Sequence, residues 1–264
     1  MDILKRNNVK VFGKGDRTMV LAHGYGCDQN VWTDMLAEFA KDYRIVTFDF
    51  VGAGESDLSA YTAERYGTLN GYVQDLLEIY EALDLKDTIL VAHSVSSMIG
   101  LLAGISRPEL FRNIIFVGPS PRYLNDQNYH GGFERNELEE LFEMMDNNYL
   151  GWSRALAPNI MGNKERPELG ARLTNSFCAT DPEIAKQFAR VTFLSDNRED
   201  LPKLTVPSLT LQCTNDIIAP MSIGHYMHEN MSQNTLVIME ATGHCPHMSA
   251  VKETVNAIRT YLGE

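Results

Sequence analysis

Ser94, Asp216 and His244 are three residue types that together can activate a hydroxyl for attack on a carbonyl, and they occur in that order along the chain. A neutral serine is a poor nucleophile until a base takes its proton. An imidazole can act as that base near neutral pH, and a carboxylate behind it selects the tautomer and stabilises the imidazolium. Ser94 stands in Thr88-Ile89-Leu90-Val91-Ala92-His93-Ser94-Val95-Ser96, where a run of strand formers meets small residues that open an apolar helix. This is the pattern of a strand–turn–helix nucleophile elbow, G-x-S-x-G, with Ala92 and Ser96 in place of both glycines. The turn tolerates only small residues there, and both replacements are small.

The other two groups are placed to match. Asp216 ends an apolar segment beginning at Pro207, so its carboxylate is expected at the C-terminal end of a strand. His244 follows a second apolar segment, Leu236–Met239, in a Gly243-His244 loop before a helix. Thr18–Ala22 runs into His23-Gly24-Tyr25-Gly26, a short strand and a glycine turn. In an α/β-hydrolase that loop supplies one backbone N–H of an oxyanion hole and the residue after the nucleophile supplies the other. The expected donors are the N–H groups of Tyr25 and Val95. Haloalkane dehalogenation and epoxide opening on this fold need an aspartate where Ser94 stands.

The elements that must hold these groups alternate. Strands are expected near Val9–Phe12, Thr18–Ala22, Arg44–Phe48, Thr88–Ala92, Ile114–Val117, Ser208–Gln212 and Thr235–Met239. Helices are expected near Gln29–Ala40, Leu69–Leu83, Ser96–Ile105, Ile223–Asn230 and Ser249–Leu262. This is the rhythm of a mostly parallel twisted sheet with helices on both faces, the α/β class. Between about Gly131 and Arg198 the strands stop and helical segments take over, one of them opened by Asp181 as N-cap and Pro182 at the first helical position. The expected organisation is a core of residues 1–130 and 199–264 carrying an inserted helical cap of residues 131–198.

Composition narrows the function. The 264 residues are 44% hydrophobic and 22% charged, enough for one large core. A formal charge of -12 argues against nucleic acid as a partner. No apolar run approaches the ~20 residues that span a bilayer. The start, Met1-Asp2-Ile3-Leu4-Lys5-Arg6, lacks the apolar stretch of a signal peptide, so a cytoplasmic location is expected. Four cysteines without C-x-x-C spacing are expected to be reduced. Gly24-Tyr25-Gly26 and Gly52-Ala53-Gly54 lack the third glycine of a dinucleotide loop. His244/His247 and His225/His228 are spaced for metal on a helix, but Pro246 interrupts the first pair and no carboxylate cluster accompanies the second. No cofactor and no metal are expected.

A larger set of motifs resembles one family nearly end to end: Gly26-Cys27-Asp28-Gln29, Asp49-Phe50-Val51-Gly52, Arg65-Tyr66-Gly67-Thr68-Leu69-Asn70-Gly71-Tyr72, Gly118-Pro119-Ser120-Pro121 with Tyr123-Leu124-Asn125-Asp126, Phe177-Cys178-Ala179-Thr180-Asp181-Pro182, Ser195-Asp196-Asn197-Arg198-Glu199-Asp200, and Gly243-His244-Cys245-Pro246-His247-Met248-Ser249. These are similar to the RsbQ-like bacterial α/β-hydrolases of energy-stress (sigma-B) signalling. The plant karrikin and strigolactone receptors are similar in the same places. Ala92 departs from the usual glycine, and His23-Gly24 from Pro-Gly. The resemblance implies a small, largely apolar pocket under a four-helix cap, made for a compact ester or lactone and lined by Tyr25, Val95, Tyr123, Phe133, Trp152, Leu156, Phe193 and Ile218. It also implies a partner phosphatase with a PAS sensory domain. Two functions stay open at this point: a serine hydrolase whose product feeds signalling, or a ligand sensor with a slow triad that reports occupancy to a protein partner.

Overall fold

The computed structural model describes residues 2–264. Seven strands form one sheet: β1 (Lys10–Phe12), β2 (Arg17–Ala22), β3 (Tyr43–Thr47), β4 (Thr88–His93), β5 (Phe111–Val117), β6 (Ser208–Asn215) and β7 (Asn234–Thr242), in the spatial order β1-β3-β2-β4-β5-β6-β7. Only β1 runs antiparallel to its neighbour; every other pair is parallel. The central strand β4 is buried at all six residues. Continuous apolar runs such as Ile89–Ala92 are what a parallel sheet covered on both faces requires. All seven strands lie where the sequence pattern predicts them.

The flanking helices are α1 (Ile3–Arg6), α2 (Thr33–Phe39), α3 (Leu69–Ala82), α4 (Val95–Ser106), α9 (Met221–Asn230), α10 (Pro246–Ser249) and α11 (Val251–Leu262), and four more lie between β5 and β6. The expected helix at Gln29–Ala40 opens as a 3₁₀ turn, Gln29–Trp32, before α2. The expected helix at Ser249–Leu262 is broken at Ala250, whose φ of -135° is not helical, so α10 and α11 are separate. Helix α1 escaped the sequence reading because four residues show no period; the Asp2 carboxylate caps it by accepting from the Leu4 and Lys5 N–H groups.

The segment between β5 and β6 is helical: α5 (Arg135–Asn147), α6 (Tyr149–Met161), α7 (Pro167–Ala179) and α8 (Pro182–Phe193). The Asp181 carboxylate accepts from the Glu183 and Ile184 N–H groups and Pro182 occupies the first helical position, as the local sequence dictates. These helices turn apolar side chains toward β4 and its loop. Tyr25 beside the elbow makes edge contacts with Phe177 of α7 and Phe193 of α8, at centroid distances of 5.6 and 6.4 Å.

Candidate active site

Strand β4 ends at His93, and the chain reverses into α4 through Ser94 at φ 57° and ψ -124°. A non-glycine residue there stores about 1–3 kcal/mol of strain, which the surroundings must hold. They do so with bonds: the Ser94 N–H donates to the Val117 carbonyl at 2.9 Å. The missing glycines are accommodated. Ala92 is fully buried and pairs with Ala22 and Phe116 on the neighbouring strands. The Ser96 hydroxyl donates to the His23 carbonyl, tying the elbow to the glycine turn.

The structure brings the three predicted groups together. His244 Nε2 lies 2.8 Å from Ser94 Oγ, and its Nδ1 lies 2.7 Å from Asp216 Oδ2. A carboxylate only accepts, so Nδ1 carries the proton and Nε2 accepts from the serine hydroxyl. The second Asp216 oxygen accepts from the N–H groups of Ile218 at 2.8 Å and Ala219 at 3.1 Å, which holds the carboxylate at the end of β6. Gly243 reaches φ 84°, and a Cβ there would stand 2.0 Å from the Met161 carbonyl oxygen, so only glycine permits the approach of α6 to the His244 loop. The His244 N–H donates to the Ile160 carbonyl on that same helix at 2.9 Å.

His93 adjoins Ser94 in sequence, but it is His244 that meets the serine hydroxyl. The His93 Nε2–H donates to the His244 carbonyl at 2.9 Å, so it braces the loop that carries His244. It packs against His247 at a centroid distance of 4.3 Å, and His247 packs on Trp32 at 4.5 Å. Burial, reinforced by the neighbouring imidazoles, pushes His93 well below the ordinary histidine range. Burial also drives His247 down to about 3. Both are neutral packing and bracing groups.

The Gly24 turn comes so close that a Cβ would lie 2.7 Å from His93 Nδ1 and 3.1 Å from Ser94 Cβ. His23, where the resemblance expects proline, fixes this turn. Its Nδ1–H donates to the Gly24 carbonyl at 2.9 Å and its Nε2 accepts from the Phe50 N–H at 3.1 Å. Tyr25 follows this turn, and Val95 opens α4. The first N–H of a helix has no intrahelical acceptor, so the Val95 N–H is available beside Ser94.

A cavity of about 30 Å³ adjoins Ser94 and His244. Of the eight lining residues implied by resemblance, Tyr25, Tyr123, Phe193 and Ile218 border it. Phe133 stands behind Phe193, with ring centroids 5.7 Å apart, and Trp152 behind Phe177 at 6.1 Å. Val95 sits buried at the start of α4, and Leu156 packs half-buried against the core. Cys27, His93, Ile160, Leu173, Phe177, Thr192 and Cys245, which the resemblance does not imply as lining, complete the border. The only signal for the helical members was their apolar period, which marks burial but not which cavity. Burial raises the Cys27 and Cys245 thiols, keeping both protonated and poor nucleophiles.

A mostly parallel sheet whose strained serine meets a buried histidine–aspartate pair defines a hydrolase of the α/β type. The chain belongs to the alpha/beta hydrolase family, whose model matches residues 19–257. It is 39% identical to the Karrikin insensitive 2 receptor CA of Petunia hybrida over 92% of this chain and 91% of that protein. It is 38% identical to the Strigolactone esterase D14 of Arabidopsis thaliana over 99% and 98%. Among solved structures, the hydrolase olei00960 of Oleispira antarctica superposes with a TM-score of 0.97 at 42% identity, covering 100% of this chain and 97% of that one. Among the described residues no helix is long and apolar enough to cross a membrane, and no group of three or more histidine, cysteine or acidic side chains could hold a metal ion.

Proposed function

We propose that this protein is a cytoplasmic serine hydrolase that cleaves a small ester or lactone and feeds bacterial stress signalling in the manner of the RsbQ-like enzymes. The observation that carries the chemistry is the continuous Ser94–His244–Asp216 hydrogen-bonded chain, at 2.8 and 2.7 Å, on a strained elbow. Ser94 Oγ attacks the carbonyl carbon while its proton passes to His244 Nε2. The imidazolium is stabilised by Asp216, and the carbonyl π electrons move to oxygen. That oxyanion is received by the N–H groups of Tyr25 and Val95, donors of a kind worth about 2.7–4 kcal/mol each. Collapse expels the alcohol oxygen, which takes the proton from His244, and leaves an acyl group on Ser94. Water then attacks the acyl carbon while its proton passes to His244 Nε2; collapse breaks the bond to Ser94 Oγ, which takes that proton back, and the acid leaves.

Residues 131–198 serve in this reading as a lid on a core of residues 1–130 and 199–264. The cavity, about 30 Å³, has room for a water or two but is far below the roughly 300 Å³ or more of ordinary ligand sites. In this reading α5 to α8 move to admit the substrate. This supports a second reading, in which the protein is mainly a sensor that turns over slowly and signals through its lid to a partner, a PAS-domain phosphatase by resemblance. The receptor names of the plant relatives favour the same reading.

The test is labelling and turnover together. A serine-directed phosphonate should modify Ser94 in the native protein and fail with His244→Ala; modification at Cys27 or Cys245 instead would sink the assignment. Many turnovers of a small chromogenic ester support the enzyme. A single turnover with lid-dependent partner binding supports the sensor.

A further inference from the structure

We infer that Thr192 is a specificity-determining residue whose hydroxyl donates to a second oxygen in the acyl part of the substrate, away from the scissile carbonyl. The inference rests on reading Ser94 as the nucleophile. It also revises the expectation of a pocket with few polar groups to orient its ligand.

Thr192 lies in the last turn of α8, is 1% exposed, and borders the same cavity as Ser94 and His244. A helical threonine ordinarily returns its hydroxyl to the carbonyl four residues back. Two others in this chain do so: Thr174 donates to Gly170 at 2.8 Å and Thr254 to Ala250 at 3.0 Å. The Thr192 hydroxyl makes no such bond and has no partner in the protein. Its backbone is held in place, since the Thr192 carbonyl accepts from the Ser195 N–H at 3.3 Å and from the Ser195 hydroxyl at 2.8 Å. The hydroxyl is thus withheld from the helix on an ordered turn.

Around it the wall is carbon: Ile160, Leu173, Phe177, Phe193 and Ile218 border the cavity. Two other hydroxyls belong to residues on that border besides Ser94: that of Tyr123, also buried and without a partner, and that of Tyr25, which donates to Met145 Sδ at 3.6 Å. An unpaired hydroxyl in such a wall costs stability unless something that enters the cavity pairs with it. A plain hydrocarbon chain would leave it unpaired. An acyl group carrying an ether, ester or ring oxygen would satisfy it. Discrimination then follows from the penalty of an unpaired buried group rather than from shape.

The experiment compares 4-nitrophenyl butyrate with its oxa-analogue, 4-nitrophenyl methoxyacetate, which has the same chain length and one oxygen in place of a methylene. The quantity read is the ratio of kcat/KM for the oxa-ester to that for the butyrate. Comparing that ratio between variants removes the intrinsic reactivity of the two esters. Thr192→Val should lower it about tenfold, and Thr192→Ser should keep it near the native value. A ratio unchanged in Thr192→Val overturns the inference. Thermal unfolding without ester supplies the second readout. Thr192→Val should melt at or above the native temperature, because it deletes a hydroxyl that has no partner. A clear drop would mean that the hydroxyl serves the fold, and that also overturns the inference. If native protein hydrolyses neither ester in a Ser94-dependent way, the nucleophile assignment itself falls and takes the inference with it.

Discussion

The two walls of the cavity are built on opposite principles. On the core side, Asp216, His244 and Ser94 are linked in series, and backbone N–H groups occupy the remaining carboxylate oxygen. On the side of α6 to α8, carbon dominates and the hydroxyl of Thr192 is left without a partner. The core wall holds dipoles in place before the reaction starts, which is where preorganised electrostatics act most strongly. The helical wall shapes the cavity, and in the proposed function it selects what may enter. In the proposed function chemistry and selection fall to different parts of the chain, and each can be perturbed separately.

The largest expected effect comes from breaking the core wall. Asp216→Asn should lower kcat for a small ester by about 10⁴-fold, because the amide favours the wrong imidazole tautomer, and His244→Ala should cost at least as much. Steady-state rates with an unchanged circular dichroism spectrum test this. Retention of more than a tenth of the activity in either variant would break the assignment.

Next comes the helical wall. Phe193→Ala should shift preference from short toward longer acyl chains by about tenfold or more, since it removes the ring that stands between the cavity and Phe133. Its expected stability cost is about 3–5 kcal/mol. A chain-length series of nitrophenyl esters, measured beside urea unfolding, separates the two effects. An unchanged chain-length profile would show that this wall does not select.

A smaller effect concerns the neutral imidazoles behind the base. His247 is held down to about 3 by burial, whereas an unfolded chain takes up that proton near pH 6.5. The unfolded state therefore binds more protons between those values. Stability present above about pH 6.5 should be lost progressively as the pH falls toward 3. His93 is shifted in the same direction and adds to the trend. His247→Phe, which keeps a ring against Trp32 and His93, should flatten this acid slope. Urea unfolding at pH 7 and pH 5 measures it, and an identical slope in the variant would show that His247 contributes none of it.

The smallest expected effect on hydrolysis is at the exposed face of α5. Charge reversal at Glu139, Glu140 and Glu143 should change ester turnover less than twofold while altering stress-pathway output in cells. Output that tracks hydrolysis in every variant would mean that a diffusible product carries the signal.

Much of this architecture could be read before any tertiary contact was known. The seven strands announce themselves because a buried parallel strand needs an unbroken apolar run, as in Ile89–Ala92. The elbow is legible because only small residues fit beside Ser94. Asp181 and Pro182 mark their helix start because both act within one turn of the chain. Local chemistry of this kind leaves local traces.

The sequence by itself determined the fold class, the order of serine, aspartate and histidine, and the start of the helical segment after β5. Tertiary structure alone decided how four histidines divide their work. His23 pins the glycine turn, His93 braces a carbonyl, His244 meets Ser94, and His247 packs neutral against Trp32. It also decided that Thr192, its hydroxyl without a partner, borders the cavity while Phe133 and Trp152 stand a layer behind. The reason is physical: a strand, a cap or a tight turn is encoded by neighbours in sequence. The partner of a buried side chain is set by the packing of elements that lie far apart along the chain.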